Sequence, residues 1–391
     1  MSPADSSRRT GKDAETSAWR LQALLEDIVS RPQIRHAIMA VEDGSGAFRW
    51  LGALGDADLD GRPMQADTPF MIASVSKMYI ASAILRLYER GDVGLDESLL
   101  AYLPETLVGG LHRLGGVDYT AAITIRHLLG HTSGLPDYIE ERPKGGQSLV
   151  ERLLQEGDMA WGIDEVVRIV RDELRPHFRP QPMEAKRIKA RYSDTNYRLL
   201  IAILETVTGQ SQQQVFEELL LRPLDLRHTY LPGHSPLDPA PAPATLWFGD
   251  EPLDIPLALA SFGDLYCTIQ DTLSFLRALL SGEVFDDPAT FDLMQSQWNR
   301  FGLPRDQAAL RSPGWPIEYG LGLMRFRLPR ILTPRYTPPA VIGHSGSTGT
   351  WLFYCPQLDL LLSGAVDQGT AGAVPYRLIP QMLRVLDSAT R

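Results

Sequence analysis

Apolar and polar positions alternate in two different rhythms along this chain. Near the start, "SAWRLQALLEDIVSR" (residues 17–31) reads as a first helix, and "HAIMAVEDGSGAFRWLGALG" (36–55) as a hairpin. The hairpin reading rests on two apolar runs flanking the turn-forming Asp43-Gly44-Ser45-Gly46. Between residues 75 and 91 the apolar positions Met78, Ile80, Ile84, Leu85, Leu87 and Tyr88 recur at helical spacing and stop near Gly91. The middle of the chain keeps that rhythm. "TIRHLLGH" predicts a short helix before a Gly-Leu-Pro turn, and "SLVERLLQEGDMAWGIDEVVRIVRDEL" two helices. "TNYRLLIAILETVTG" predicts a strong helix opened by a Thr cap and closed by Gly. "SQQQVFEELLLRPL" repeats the pattern with Ser first. Residues 232–256 are Pro-rich and irregular, and "TIQDTLSFLRALLSG" is again helical. Strand-like runs return in "YGLGLMRFRL", "TWLFYCP" and "LDLLLSGAVD", before a last helix in "VPYRLIPQMLRVLDSA".

Strands at both ends and helices between them predict an α+β fold, with an antiparallel sheet assembled from the two chain ends. The expected division is a disordered lead at 1–16, an α/β sheet domain from 17–82 and 255–391, and a helical subdomain at 83–254.

Composition narrows the function. The 391 residues are 44% hydrophobic and 22% charged, ordinary for a globular chain. A formal net charge of −10 argues against coating nucleic acid or an anionic membrane surface. No apolar run reaches the length of a membrane span. The polar opening "MSPADSSRRTGKDAETSAWRLQ" lacks the apolar centre of a secretion signal, so a cytoplasmic location is expected. Cys267 and Cys355 are too few for a disulfide framework and read as two buried thiols in a reducing compartment. Five lysines stand against 33 arginines, and Asn196 and Asn299 are the only asparagines, so motifs needing Lys or Asn can be checked exhaustively.

Ser74-Val75-Ser76-Lys77 is the one S-x-x-K in the chain. On a helix, positions i and i+3 share a face, so the Ser74 hydroxyl can meet the Lys77 amine. A serine hydroxyl needs a base to become a nucleophile, and a lysine whose pKa burial lowers can be that base. The plainer reading is a capping serine with a lysine stem laid over apolar surface. Tyr192 precedes Ser193-Asp194 at the head of a strong helix and either points its phenol into a cleft or fills the core. His344-Ser345-Gly346 opens a strand, where small residues allow close backbone approach. The amide of Ser347 is a candidate oxyanion donor beside that of Ser74; the alternative is a Gly-rich hairpin entrance with a surface histidine.

Taken in order, these blocks resemble the serine β-lactamase and penicillin-binding-protein superfamily. They are most similar to its class C-like branch of class C β-lactamases, DD-peptidases, D-aminopeptidases and family VIII esterases. The resemblance rests on "TPFMIASVSKMYIASAILRLYERGDVGLDESL", "ITIRHLLGHTSGLPDY", "YSDTNYRLLIAILETVTG" and "YGLGL…IGHSGSTGTW", and spans roughly residues 35–390. It implies the β-lactamase/transpeptidase-like fold and an acyl-enzyme on Ser74. Lys77 and Tyr192 would share the proton relay, with Tyr192 acting as base and then as acid to the leaving group. His344 stands in for a family lysine, with Ser345, Gly346 and Asp194 lining the substrate site. The implied activity is a serine hydrolase on small ester, amide or lactam substrates, without cofactor or metal. An acyltransferase or D-amino-acid peptidase on the same scaffold is the alternative, and so is a penicillin-binding or sensor module that is acylated without turnover.

Rival motifs fail on their surroundings. Lys144-Gly145-Gly146 lies in a polar loop ahead of Tyr192, and "GHTSG" places its serine one position late for a nucleophile elbow. His127 and His131 stand four apart without the Glu of H-E-x-x-H, so that block reads as a structural wall of the site. Two departures from the family pattern bear on substrate. Asp194 replaces the amide-binding Asn of class C β-lactamases and donates no hydrogen bond when ionised, and His344 removes a permanent positive charge. Residues 139–190, including "RPHFRPQPMEAKRIKAR", are expected to border the cleft and shape specificity.

Overall fold

A computed structural model describes residues 11–182, 188–303, 306–328, 330 and 336–388. Residues 1–10 of the expected lead and 183–187 of the segment 139–190 lie outside them.

The first helix, α1, spans Gly11–Val29 and so begins inside the stretch expected to be disordered. Its inward face starts before the apolar run does: Ala14 packs on the sheet-side core and Ser17 is fully buried, ahead of Leu21, Leu25 and Ile28. Strands β1 (His36–Asp43) and β2 (Arg49–Gly55) form the predicted hairpin. Its turn is closed by the Asp43 carboxylate, which accepts from the amides of Ala47 and Phe48 at 2.9 Å each.

The remaining strands of the main sheet are β3 (Lys189–Ala190), β4 (Asn299–Phe301), β5 (Glu318–Tyr319), β6 (Met324–Phe326), β7 (Val341–Ser345), β8 (Trp351–Cys355) and β9 (Leu360–Ala365). They lie in the order β2-β1-β9-β8-β7-β6-β5-β4-β3. The chain ends therefore meet inside the sheet, next to the edge hairpin, where β1 pairs antiparallel with β9, as the sequence predicts. The sheet departs from that prediction at one edge. β3 comes from the helical middle of the chain and runs parallel to β4, so the sheet is mixed and the stretch 83–254 supplies one of its strands. Two residues are too few to register as a period-two pattern.

Alternation along the central strands divides the interior in two. Ala37, Met39 and Val41 of β1, with Trp351 and Phe353 of β8, face α1 and the last helix, α5 (Val374–Ser388). Ile38, Ala40 and Leu352 face the larger core shared with α2 (Ser76–Glu89), α3 (Asp194–Thr208) and α4 (Ile269–Ser281). That core runs without interruption from the sheet face through the helices. α3 closes as expected, on Gly209 in the left-handed conformation (φ 66°), but its N-cap is Ser193 rather than Thr195. The Pro-rich stretch 232–256 contains a small hairpin pairing Trp247–Phe248 with Glu251–Pro252. Among the described residues no helix is long and apolar enough to cross a membrane.

Close packing where the two chain ends pair gives a direct test. A Cβ on Gly364 of β9 would meet the fully buried Trp351 indole and stand 2.5 Å from the Ile38 carbonyl oxygen on the neighbouring strand. Gly364→Ala is expected to destabilise the fold by roughly 1–3 kcal/mol, read as a lower urea midpoint. An unchanged midpoint would contradict this packing.

Candidate active site

Ser74 sits in a tight turn, Ala73–Val75, that feeds α2 and follows a short strand, Phe70–Met71, paired with Tyr266–Cys267. Ala73 takes a φ of 45°, a left-handed conformation that costs a non-glycine residue about 1–3 kcal/mol. The turn is held against the end of β7. Gly346 packs so closely that a Cβ there would lie 2.8 Å from the Ile72 carbonyl oxygen and 2.9 Å from the Ala73 Cβ. Thr350 Oγ1 donates to the Met71 carbonyl at 3.1 Å, and the Gly346 amide to the Thr350 carbonyl at 2.7 Å. The small residue at 346 thus serves close approach of the Ser74 turn itself. Among the described residues the Ser347 amide, next in line, makes no backbone hydrogen bond.

One helical turn below Ser74, Lys77 is only 4% exposed. Its Nζ donates to Ser74 Oγ at 3.0 Å and lies 2.5 Å from Asp194 Oδ1. The Tyr192 and Tyr197 ring centroids lie 5.1 and 5.5 Å from the same nitrogen. Burial alone would lower this ammonium's pKa, but the Asp194 carboxylate, with Tyr192 and Asp264 behind it, holds it well above the ordinary lysine value. Lys77 is therefore a charged, ion-paired group, in contrast to the burial-lowered amine that its apolar sequence context suggests. The difference is Asp194, whose position over Lys77 is a tertiary fact. Ser76, the other serine of the motif, is buried and accepts the Leu265 amide at 2.9 Å.

Asp194 is held from behind. Its amide donates to Asp137 Oδ2 at 2.8 Å, while Asp137 Oδ1 accepts from the amides of Ile139 and Glu140 at 2.8 and 3.0 Å. Burial and the neighbouring Asp194 push the Asp137 carboxyl well above the usual range. Burial also raises the Tyr192 hydroxyl far above the ordinary phenol value, with Lys77 acting in the opposite sense. Tyr192 Oη is buried without a well-formed hydrogen bond. Asp264, not singled out in the sequence, lines the same cleft, and burial takes it up to about 6. Its "FGDLYC" context carries no catalytic pattern that would have marked it.

His344 lies elsewhere than expected. It is fully buried beneath the cleft, where Nδ1 donates to the Ser345 carbonyl at 2.8 Å and Nε2 accepts from the Tyr319 hydroxyl at 3.0 Å, the tautomer assigned from these partners. Burial, then the Lys77 charge, lowers its pKa to about 3, so it is a neutral structural group and presents no charge to a substrate. Its neighbour Ser345 reaches the cleft instead, sharing a 2.5 Å hydrogen bond with the Tyr376 hydroxyl. His131 is buried as part of the site wall, as its sequence block suggests. Its Nδ1 accepts from the Ser193 amide and Asn196 Nδ2 at 3.3 and 3.0 Å, and its ring lies 4.5 Å from that of Tyr192.

These groups open onto a cleft of about 1050 Å³. It brings together Ser74, Lys77, Tyr192, Asp194 and Ser345–Ser347, and leaves His344 behind the wall. Apolar side chains such as Leu153, Leu246, Phe248 and Trp315 line much of the rest. From the segment 139–190 the lining takes Ile139, Glu140, Val150, Glu151, Leu153 and Leu154, so the cleft is bordered by the first part of that segment, and the segment's described residues after Leu154 do not line it. Among the described residues no group of three His, Cys, Asp or Glu is disposed to hold a metal ion.

A model of the Beta-lactamase family matches residues 21–373. Esterase EstB from Burkholderia gladioli is 32% identical over 223 residues, 55% of this chain and 52% of EstB, so the match spans about half of that relative's length. The D-alanyl-D-alanine-carboxypeptidase/endopeptidase AmpH of Escherichia coli (strain K12) is 24% identical over 330 residues, covering 84% of this chain and 77% of AmpH. The D-amino acid amidase from Ochrobactrum anthropi SV3 complexed with D-phenylalanine superposes with a TM-score of 0.73 at 22% identity, over 96% of this chain and 99% of its own. EstCE1, described as a hydrolase with promiscuous acyltransferase activity, gives 0.71 at 23% identity, over 97% and 100%. The two structural likenesses speak for the α+β fold.

The neutral, buried His344 has a consequence for stability. An unfolded histidine titrates near 6.5, whereas His344 titrates near 3 in the fold. The unfolded chain thus binds a proton that the folded one refuses. Its contribution is complete above about pH 6.5 and is lost as pH falls toward 3. Wild type is expected to lose more urea stability than His344→Gln between pH 6.5 and 4. Parallel curves would contradict a neutral, buried His344.

Proposed function

The chain belongs to the beta-lactamase family, and we propose that it is a serine hydrolase forming an acyl-enzyme on small esters or amides. The observation that carries this is the Ser74 hydroxyl at 3.0 Å from the Lys77 ammonium, at the wall of a cleft large enough for an acyl group and its leaving group. Relatives named as an esterase, a carboxypeptidase and an amidase support it.

In this reading Ser74 Oγ attacks the substrate carbonyl and the amides of Ser74 and Ser347 receive the oxyanion. Fixed donors of this kind are worth about 10²–10³-fold in rate. Tyr192, a neutral phenol at working pH, hands its proton to the leaving group. Lys77 stabilises the developing charge around Ser74 and restores the Tyr192 proton. Water then releases the acyl group by the reverse steps. The apolar side chains of the cleft favour apolar acyl groups over charged ones. The cleft volume also leaves room for an alcohol acceptor beside the acyl group, which favours acyl transfer as a second outcome. Two buried, unpaired cysteines support a reducing, cytoplasmic location.

Asp194 carries the expectation about lactams. Engaged with Lys77 and acceptor-only as a carboxylate, it offers no hydrogen bond to an acylamide carbonyl. One such bond is worth about 1–2 kcal/mol, or roughly tenfold or more in rate.

Turnover of p-nitrophenyl butyrate and of nitrocefin tests the reading. Ester hydrolysis is expected, abolished in Ser74→Ala and reduced about 10²–10⁴-fold in Tyr192→Phe, with nitrocefin slower than the ester by at least roughly tenfold. Ester turnover that survives Ser74→Ala, or a protein that takes up one acyl group and stops, would overturn it.

A further inference from the structure

The base must be found among the groups around the nucleophile, and Lys77 lies 3.0 Å from Ser74 Oγ. Its nitrogen donates to Ser74 Oγ and meets Asp194 Oδ1 at 2.5 Å, and the Tyr192 hydroxyl interacts with both Lys77 and Ser74. We propose that Asp194 is the terminal proton acceptor of a Ser74–Lys77–Asp194 relay, a positioning residue through which Lys77 acts as base. The proposal rests on the serine-hydrolase reading and adds to it where the Ser74 proton goes.

Three observations converge on Asp194. It stands at the first turn of α3, its amide locked to Asp137 at 2.8 Å and the preceding Ser193 hydroxyl to the Pro136 carbonyl at 2.9 Å, so its carboxylate is fixed over Lys77. It lines the cleft, yet its Oδ1 points to the lysine. The other titratable groups facing Lys77 are poor acceptors. From α3 and the segment before it, Tyr197 and Tyr192 are held as neutral phenols by burial. From the loop after Leu129, His131 has its Nδ1 lone pair occupied by the Ser193 amide and Asn196. From β7, His344 has both ring nitrogens occupied. From the loop before Tyr266, Asp264 acts on Lys77 through its field, but the ion-pair contact to Nζ among the described residues is that of Asp194.

The step balances without any other reactant. As the Ser74 Oγ–carbon bond forms, the Oγ–H bond breaks and its proton passes to Lys77 Nζ. One Nζ–H bond breaks at the same time and that proton passes to Asp194 Oδ1. The ammonium is kept, the carboxylate becomes a carboxylic acid, and the negative charge moves to the oxyanion. When the acyl–leaving group bond breaks, Tyr192 protonates the departing atom. Lys77 then reprotonates Tyr192 and recovers its own proton from Asp194.

The test compares wild type, Asp194→Asn and Asp194→Glu in kcat/KM for p-nitrophenyl butyrate from pH 7 to 10, where Asp264, titrating near 6, stays ionised. In the Asn variant the base must be a neutral Lys77, which grows in population as pH rises. Its rate is therefore expected to fall by about 10²–10⁴-fold at pH 7, with the deficit narrowing at each higher pH. The Glu variant keeps an acceptor and the wild-type pH profile. Proton inventories in mixed H₂O and D₂O are expected to show two protons in flight in wild type and one in Asp194→Asn. An Asn variant with the wild-type rate, or with a loss equal at every pH, overturns the relay alone. A wild type that turns over no ester and takes no fluorophosphonate label on Ser74 overturns the hydrolase reading and the relay with it.

Discussion

The contact between the buried Lys77 ammonium and the Asp194 carboxylate at the cleft wall organises this site. Burying the Lys77 ammonium costs several kcal/mol unless an opposite charge meets it, and Asp194, at the cleft wall with its side chain 22% exposed, supplies that charge. The surroundings of the pair answer that cost. Lys77 enters from α2 and Asp194 from the first turn of α3, the aromatic faces of Tyr192 and Tyr197 lie against the nitrogen, and Asp137 holds the Asp194 backbone. The packing of α2 against α3 thereby becomes a condition for chemistry, because a shift of either helix would separate Ser74, Lys77 and Asp194.

The second condition lies at the end of β7. A sheet strand and the start of a helix meet there without side chains between them, through Gly346 against Ile72 and Ala73. The strain at Ala73 is sustained by the bonds that Thr350 and Gly346 make around it. The result fixes the nucleophile against a rigid sheet rather than a free loop, which suits a site that must hold its donors in place before charge develops.

Much of this was legible in the residue pattern. Long amphipathic runs gave α2, α3 and α4, with the Gly209 end of α3 though not its cap, and the hairpin of β1 and β2 followed from its turn residues. The Ser74–Lys77 contact followed from a spacing of three on a helix. What escaped was set by residues distant in sequence. β3 is two residues long and gains its identity only from β4 beside it. His344 reads as a strand-edge group, but Tyr319, twenty-five residues earlier, takes its ring into the core. The charge on Lys77 could not be read from its apolar neighbours, because the residue that decides it, Asp194, is brought across by the fold.

The charge state of Lys77 is the point on which the account turns, and five lysines make it measurable. A nitrogen-15 NMR titration of lysine-labelled protein, with the Lys77 signal assigned through Lys77→Arg, reads it directly. Lys77 is expected to remain an ammonium from pH 6 to beyond the ordinary lysine range near 10.5, and in Asp194→Asn to titrate at lower pH than in wild type. A wild-type Lys77 that loses its proton near neutral pH would contradict the account and return the role of free base to the lysine alone.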